Sequence, residues 1–95
     1  MDIIWSPDAI EDLVALREYI AEDNPRAAAR MVQRIVDIVE TLLPTRPSMG
    51  RPGRVAGTRE LVIAQTPYFV PYRVTGTRIE VIRVYHSARR WPDRF

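Results

Sequence analysis

The spacing of hydrophobic positions divides the chain into an opening strand-like run, two helical stretches and three alternating stretches. Ile3, Ile4 and Trp5 are good strand formers at the start. Ser6-Pro7-Asp8 then carries the marks of a helix start. The serine can accept a free N–H, the proline suits the first helical position, and Asp8, Glu11 and Asp12 favour the positive end of the dipole. Ile10, Leu13, Leu16 and Ile20 follow at three- and four-residue steps, which predicts an amphipathic helix to about Ala21. Asn24-Pro25 repeats the cap-and-proline pair. Behind it Met31, Ile35, Ile38 and Leu42 share one helical face, widened by Val32, Val39 and Leu43. This second helix should end before Pro44, and the short Glu22–Pro25 connection favours an antiparallel pair.

Thr45 to Thr58 (TRPSMGRPGRVAGT) breaks every period and reads as a loop. Three strands follow, roughly Arg59–Gln65, Tyr68–Thr75 and Arg78–Tyr85, with turns at Thr66-Pro67 and Gly76-Thr77. Strict alternation in the last one puts Ile79, Val81, Arg83 and Tyr85 on one face and Glu80, Ile82, Val84 and His86 on the other. Pro71 conflicts with a regular middle strand. It removes a ladder donor, so a bulge or a one-sided gap is expected there. The order is β-α-α-β-β-β, an α+β chain with a helical hairpin packed on a twisted antiparallel sheet whose last three strands form a meander. The first strand crosses back by way of the helices and joins that sheet as a neighbour or an edge. The opposite sheet face is left for tyrosines, arginines and a partner.

Length and composition narrow the class. Ninety-five residues, 46% hydrophobic and 27% charged, make one ordinary domain spanning 1–95. No apolar run approaches the roughly 20 residues that cross a bilayer, and no signal segment opens the chain, so no membrane association is expected. Without cysteine, disulfides, thiolate metal sites and cysteine nucleophiles are excluded. The expected compartment is the cytoplasm.

Charge is unevenly spread. Residues 1–43 carry nine acids and four arginines, a balance of −5, while residues 44–95 carry ten arginines and three acids, a balance of +7. An anionic partner for the C-terminal half, nucleic acid or an acidic protein, is the natural expectation. All fourteen basic residues are arginine. Arginine grips phosphate or carboxylate in a two-pronged fork and is a poor general base, so lysine-driven chemistry is excluded.

The candidate chemistry concentrates near the end of the chain. His86 is the only histidine, and an imidazole with an ordinary pKa of about 6.5 can move a proton at neutral pH. In a metal-free ribonuclease it would take or give a proton during attack by a ribose 2′-hydroxyl, while arginines stabilised the charge growing on phosphorus. The alternative is a strand-end histidine hydrogen-bonded within the fold. Arg46, Arg51, Arg54, Arg59, Arg73, Arg83, Arg89 and Arg90, with Tyr68, Tyr72 and Tyr85, make either a phosphate-and-base surface or a dock for an acidic protein segment. No Gly-rich phosphate loop or metal-spaced histidine set is present, and neither metal nor cofactor is expected.

SPDAIEDL at the first helix, MGRPGRVAGTRELV into the second strand, PYFVPYRV, and IEVIRVYHSARRWP at the end resemble the RelE/ParE toxin superfamily over essentially the whole chain. The resemblance implies a toxin neutralised by a cognate antitoxin whose extended tail lies across it. Operator DNA would be met only indirectly, through the antitoxin. RelE-like members cut messenger RNA on the ribosome without metal; ParE-like members poison DNA gyrase without nuclease activity. For the RNA-cleaving branch the resemblance implies His86 as acid/base group, with Arg59 and Arg83 for charge stabilisation. This sequence departs from that branch. Phe69 stands where a basic residue is usual, Ser87 replaces a second polar ring or hydroxyl, and lysines are absent. The ParE-like branch is therefore favoured, with Arg51, Arg54, Arg73, Tyr72, Tyr85, Arg89, Arg90 and Trp91 as contacts to target or antitoxin. A toxin kept only as a corepressor is the third class.

Overall fold

Both helix starts form as their sequences dictate. Ser6 Oγ accepts the Ala9 N–H at 3.0 Å and Asn24 Oδ1 accepts the Ala27 N–H at 3.1 Å, each with proline at the next position. The computed structural model describes residues 1–88. In chain order the elements are β1 (Asp2–Trp5), α1 (Pro7–Ala21), α2 (Pro25–Leu42), β2 (Arg51–Pro52), β3 (Arg59–Val62), β4 (Tyr68–Thr75), β5 (Arg78–Val81) and β6 (Tyr85–His86). The strands form one sheet in the order β1-β5-β4-β3-β2, with β6 also pairing β4. All pairs are antiparallel except β1 with β5, which run parallel with Asp2 opposite Arg78 and Trp5 opposite Val81. The sheet is thus mixed, with the first strand on its edge.

The helical hairpin covers one sheet face. Ala9 and Leu16 of α1, and Ile35 and Val39 of α2 with Leu43 just beyond it, pack on Leu61, Val70, Tyr72, Ile79 and Val81. Burying a side chain of that size contributes roughly 1.5–3 kcal/mol each, so this layer is the main source of stability. Two expected core positions lie outside it. Ile10 is 50% exposed and Leu42 is exposed at the end of α2. Tyr68 and Tyr72 also turn toward the helices, not toward the open face where tyrosines are expected.

The expected loop is held more tightly than its composition suggests. The fully buried Tyr72 hydroxyl donates to Pro47 O at 2.7 Å and accepts the Gly50 N–H at 2.9 Å. A Cβ on Gly50 would stand 2.7 Å from that hydroxyl, so only glycine lets the loop approach. Arg59 Nη1 donates to Gly50 O at 2.9 Å and Ser48 O at 3.2 Å. The two-residue β2 then pairs with β3, Arg51 opposite Glu60. The buried Glu60 carboxylate accepts from Arg51 Nε and from the Arg54 N–H, both at 3.0 Å. The basic loop is therefore anchored by one acid, one phenol and one guanidinium.

Candidate interaction groove

The last predicted strand breaks in two at the position where Pro71 crosses it. Tyr72 lies opposite Val81, but Phe69 lies opposite Tyr85, so one extra residue is inserted between β5 and β6. This is the bulge that Pro71 implied. The Pro71 carbonyl accepts the Ile82 N–H at 2.9 Å on the β5 side. In an antiparallel strand the N–H and C=O of one residue point the same way, so the donor proline lacks would also face the bulge. The inserted residue reverses the alternation. Ile79, Val81 and Val84 belong to the core under the helices, whereas Arg83 and Tyr85 do not. Tyr85 shares the opposite face with its partner Phe69, and His86 follows Tyr68 toward the helix side.

Asp12 of α1 holds this bulge in place. Its carboxylate accepts Arg83 Nε at 2.7 Å, Arg83 Nη2 at 2.9 Å and the Val84 N–H at 2.9 Å. Donating to the Asp12 carboxylate raises the Arg83 pKa above the ordinary arginine value, with burial opposing. Ser6 adds a second tie, donating from Oγ to Ile82 O at 2.7 Å. The helix start and the bulge are thus fastened together by the side chains of Asp12 and of the capping Ser6.

Beside this joint a groove of about 600 Å³ opens between α1 and the β4–β6 end of the sheet, lined by Asp12, Ala15, Leu16, Tyr19, Tyr68, Val84, His86 and Ala88. Most of its surface is apolar. Tyr19 is 74% exposed at the rim. The His86 and Tyr68 rings meet edge to face with centroids 5.4 Å apart. Burial first, and then neighbouring Tyr19, push the Tyr68 phenol above its ordinary 10.0. Among the described residues no three histidine, cysteine or carboxylate side chains converge as a metal ion needs.

Both arginines proposed for RNA cleavage are engaged with other groups. Arg83 is taken by Asp12, with its guanidinium also 4.8 Å from the Tyr85 ring centroid. Arg59 clamps the loop beside Tyr72. Tyr72 lies four residues along β4 from Tyr68, the partner of His86, which at strand spacing is about 13 Å. Of the contact residues, Tyr72 is wholly internal and Tyr85 is buried, while Arg51 is half exposed over Phe69 and paired to Glu60. The Arg54 backbone N–H is bonded to Glu60. Arg73 stands opposite Glu80 on the open face and lines a small cleft of about 180 Å³ with Ile4, Arg78 and Ile82. Arg89, Arg90 and Trp91 lie outside the described residues.

Comparison with known proteins places this arrangement. Residues 3–91 match the family model described as "ParE toxin of type II toxin-antitoxin system, parDE". The chain belongs to the ParE toxin family. Its relatives include the "Putative toxin Y4kP" of Sinorhizobium fredii, 43% identical over 96% of this chain and 93% of that one. The "Toxin RelE2" of Caulobacter vibrioides is 36% identical over 92% of this chain and 96% of its own. A structure from the chromosomal ParDE TA system of P. aeruginosa superposes with a TM-score of 0.82 at 33% identity, covering 90% of this chain and 95% of that one. Membership in a toxin–antitoxin family implies a cognate antitoxin partner, and the α+β fold agrees with that neighbour. Among the described residues of this ParE-family toxin, no helix is long and apolar enough to cross a membrane.

Sequence reasoning missed Asp12, Ala15 and Tyr19 as a surface, and grouped Tyr68 with the arginines instead of with α1. Asp12 was legible only as a favourable charge on the helix dipole. The spacing of Asp12, Ala15, Leu16 and Tyr19 does mark one continuous stripe on α1, and a tyrosine at its end is the signal available. Phe69, the departure from the RNA-cleaving pattern, is buried with its ring 5.9 Å from that of Tyr85.

Proposed function

We propose that this ParE-family toxin arrests growth by inhibiting DNA gyrase without nuclease activity, and that its antitoxin neutralises it by filling the groove beside α1. The observation that carries the reading is the prior commitment of both guanidiniums. Arg83 is held by Asp12 and Arg59 by loop carbonyls, so neither stands ready beside His86 to stabilise a charged phosphorus. What remains accessible is an apolar groove on one side and the Arg73 cleft on the other. Arg51, Arg54 and Arg73, with Arg89, Arg90 and Trp91 beyond the described residues, are the proposed contacts. The toxin would meet both gyrase and antitoxin in the cytoplasm.

The test is a supercoiling reaction with purified gyrase and excess toxin. Blocked supercoiling or trapped, cleaved DNA is expected, and full gyrase activity would sink the reading. A second reading, a ribosome-dependent messenger ribonuclease using His86 with Arg59 and Arg83, is favoured by one observation: a relative at 36% identity carries the name Toxin RelE2. It requires codon-positioned cuts in a translating extract that disappear in His86→Ala and His86→Gln.

A further inference from the structure

His86 is the one titratable side chain of the groove whose ring nitrogens have different fates. Nδ1 lies 3.1 Å from the Ala88 backbone nitrogen and accepts its N–H. A backbone amide can only donate, so this nitrogen must carry the lone pair, and in the neutral ring the proton sits on Nε2. Nε2 has no hydrogen-bond partner among the described residues, and the ring lines the groove. The adjacent Ser87 N–H donates to Pro67 O at 2.7 Å, so the turn that fixes the ring is pinned at both residues. Among the other polar groups facing the groove, the Asp12 carboxylate is already engaged. Both Asp12 oxygens are taken by Arg83 and Val84, and Arg83 balances that charge. Tyr68 presents its ring to the histidine, and Tyr19 stands out at the rim.

We infer that His86 is a fixed hydrogen-bond donor, through Nε2–H, to an oxygen acceptor on the antitoxin segment that fills the groove. This rests on the groove being the antitoxin site. The occupant is specified by what lines the walls. Ala15, Leu16 and Val84 call for an aliphatic or aromatic side chain, and a carbonyl or carboxylate oxygen must lie beside it to meet the imidazole. A base in this position would need its free nitrogen to hold the lone pair. Here the Ala88 turn gives that lone pair to the wrong nitrogen, so the fold arranges His86 for recognition.

The experiment uses the full chain and the antitoxin purified by co-expression with the adjacent reading frame. Long-range nitrogen–proton NMR on the free toxin at neutral pH should report the Nε2–H tautomer; the Nδ1–H tautomer would overturn the inference. His86→Asn keeps an acceptor near Nδ1 for Ala88 but has no donor at the Nε2 position, and should weaken antitoxin binding about tenfold. His86→Gln places an N–H near the Nε2 position and should lose less. Unchanged affinity in His86→Asn refutes the donor role. Ala15→Arg, which fills the groove, separates the two claims. If it abolishes binding while His86→Asn binds normally, only the donor role falls. If Ala15→Arg binds normally, the groove is not the antitoxin site and both fall.

Discussion

Tyr72 shows how one hydroxyl can organise a loop. From the sequence it was one of several tyrosines assigned to a surface; its place on the helix side of β4 instead buries it completely. Tyr72→Phe removes the donor to Pro47 O and leaves the Gly50 N–H without its acceptor, which should cost about 1–3 kcal/mol in denaturant unfolding. Burial also raises this phenol's pKa above its ordinary 10.0, with the Gly50 hydrogen bond and Arg59 opposing. The folded chain then holds the proton more tightly than the unfolded one. The resulting stability is complete below about pH 10 and is lost as pH rises through the higher folded value. Thermal unfolding followed across that alkaline range should fall more steeply for the wild type than for Tyr72→Phe. Alternation gives each residue a face but not an environment, and so Tyr72 was legible as a strand residue and illegible as a loop anchor.

At the scale of elements, the helices were readable because each announces its own start. Their caps nevertheless differ in consequence. Asn24 caps α2 in solvent, whereas Ser6 caps α1 and also reaches the bulge through Ile82 O. Asn24→Ala should cost about 1 kcal/mol and Ser6→Ala about 2 kcal/mol, measured by chemical denaturation. Asp12→Asn keeps the shape but removes the charge that holds Arg83, and should cost about 2–3 kcal/mol while loosening β6. Hydrogen exchange at Val84, whose N–H loses its charged acceptor, checks that directly. The short strands explain the rest of what was hidden. β2 and β6 have two residues each, too few to show a period, and β6 is visible only once the bulge has reversed the alternation. Pro71 foretold the irregularity, but not which residues it would turn. Ile10 misled because α1 carries apolar residues beyond the face that packs, including Val14 at 50% exposure.

For the whole molecule, the uneven charge read from the sequence becomes two different kinds of arginine. Arg34, Arg51, Arg59 and Arg83 are each bonded within the chain, to Ala64 O, Glu60, loop carbonyls and Asp12 respectively, the first two from the surface. Arg73 and Arg78 make no ion pair among the described residues. Counting basic residues therefore finds the charged half of the chain but overstates how much of it can meet a partner. Arg73→Ala should leave unfolding within about 0.5 kcal/mol of wild type, as an open surface change does, yet relieve growth arrest if the cleft contacts the target. Expression in cells, with viable counts and with the antitoxin co-expressed as the rescue control, reads that outcome. The family was legible because its motifs run the length of the chain; the groove was not, since it joins α1 to residues about fifty or more positions away.

The parallel pairing of β1 with β5 sets the order in which this molecule can come into being. β1 finds its neighbour at residues 78–81, and the Asp12 lock closes on Arg83. Such distant contacts are entropically expensive and form late. A chain cut short before Arg78 has no place for its own beginning and no groove to offer.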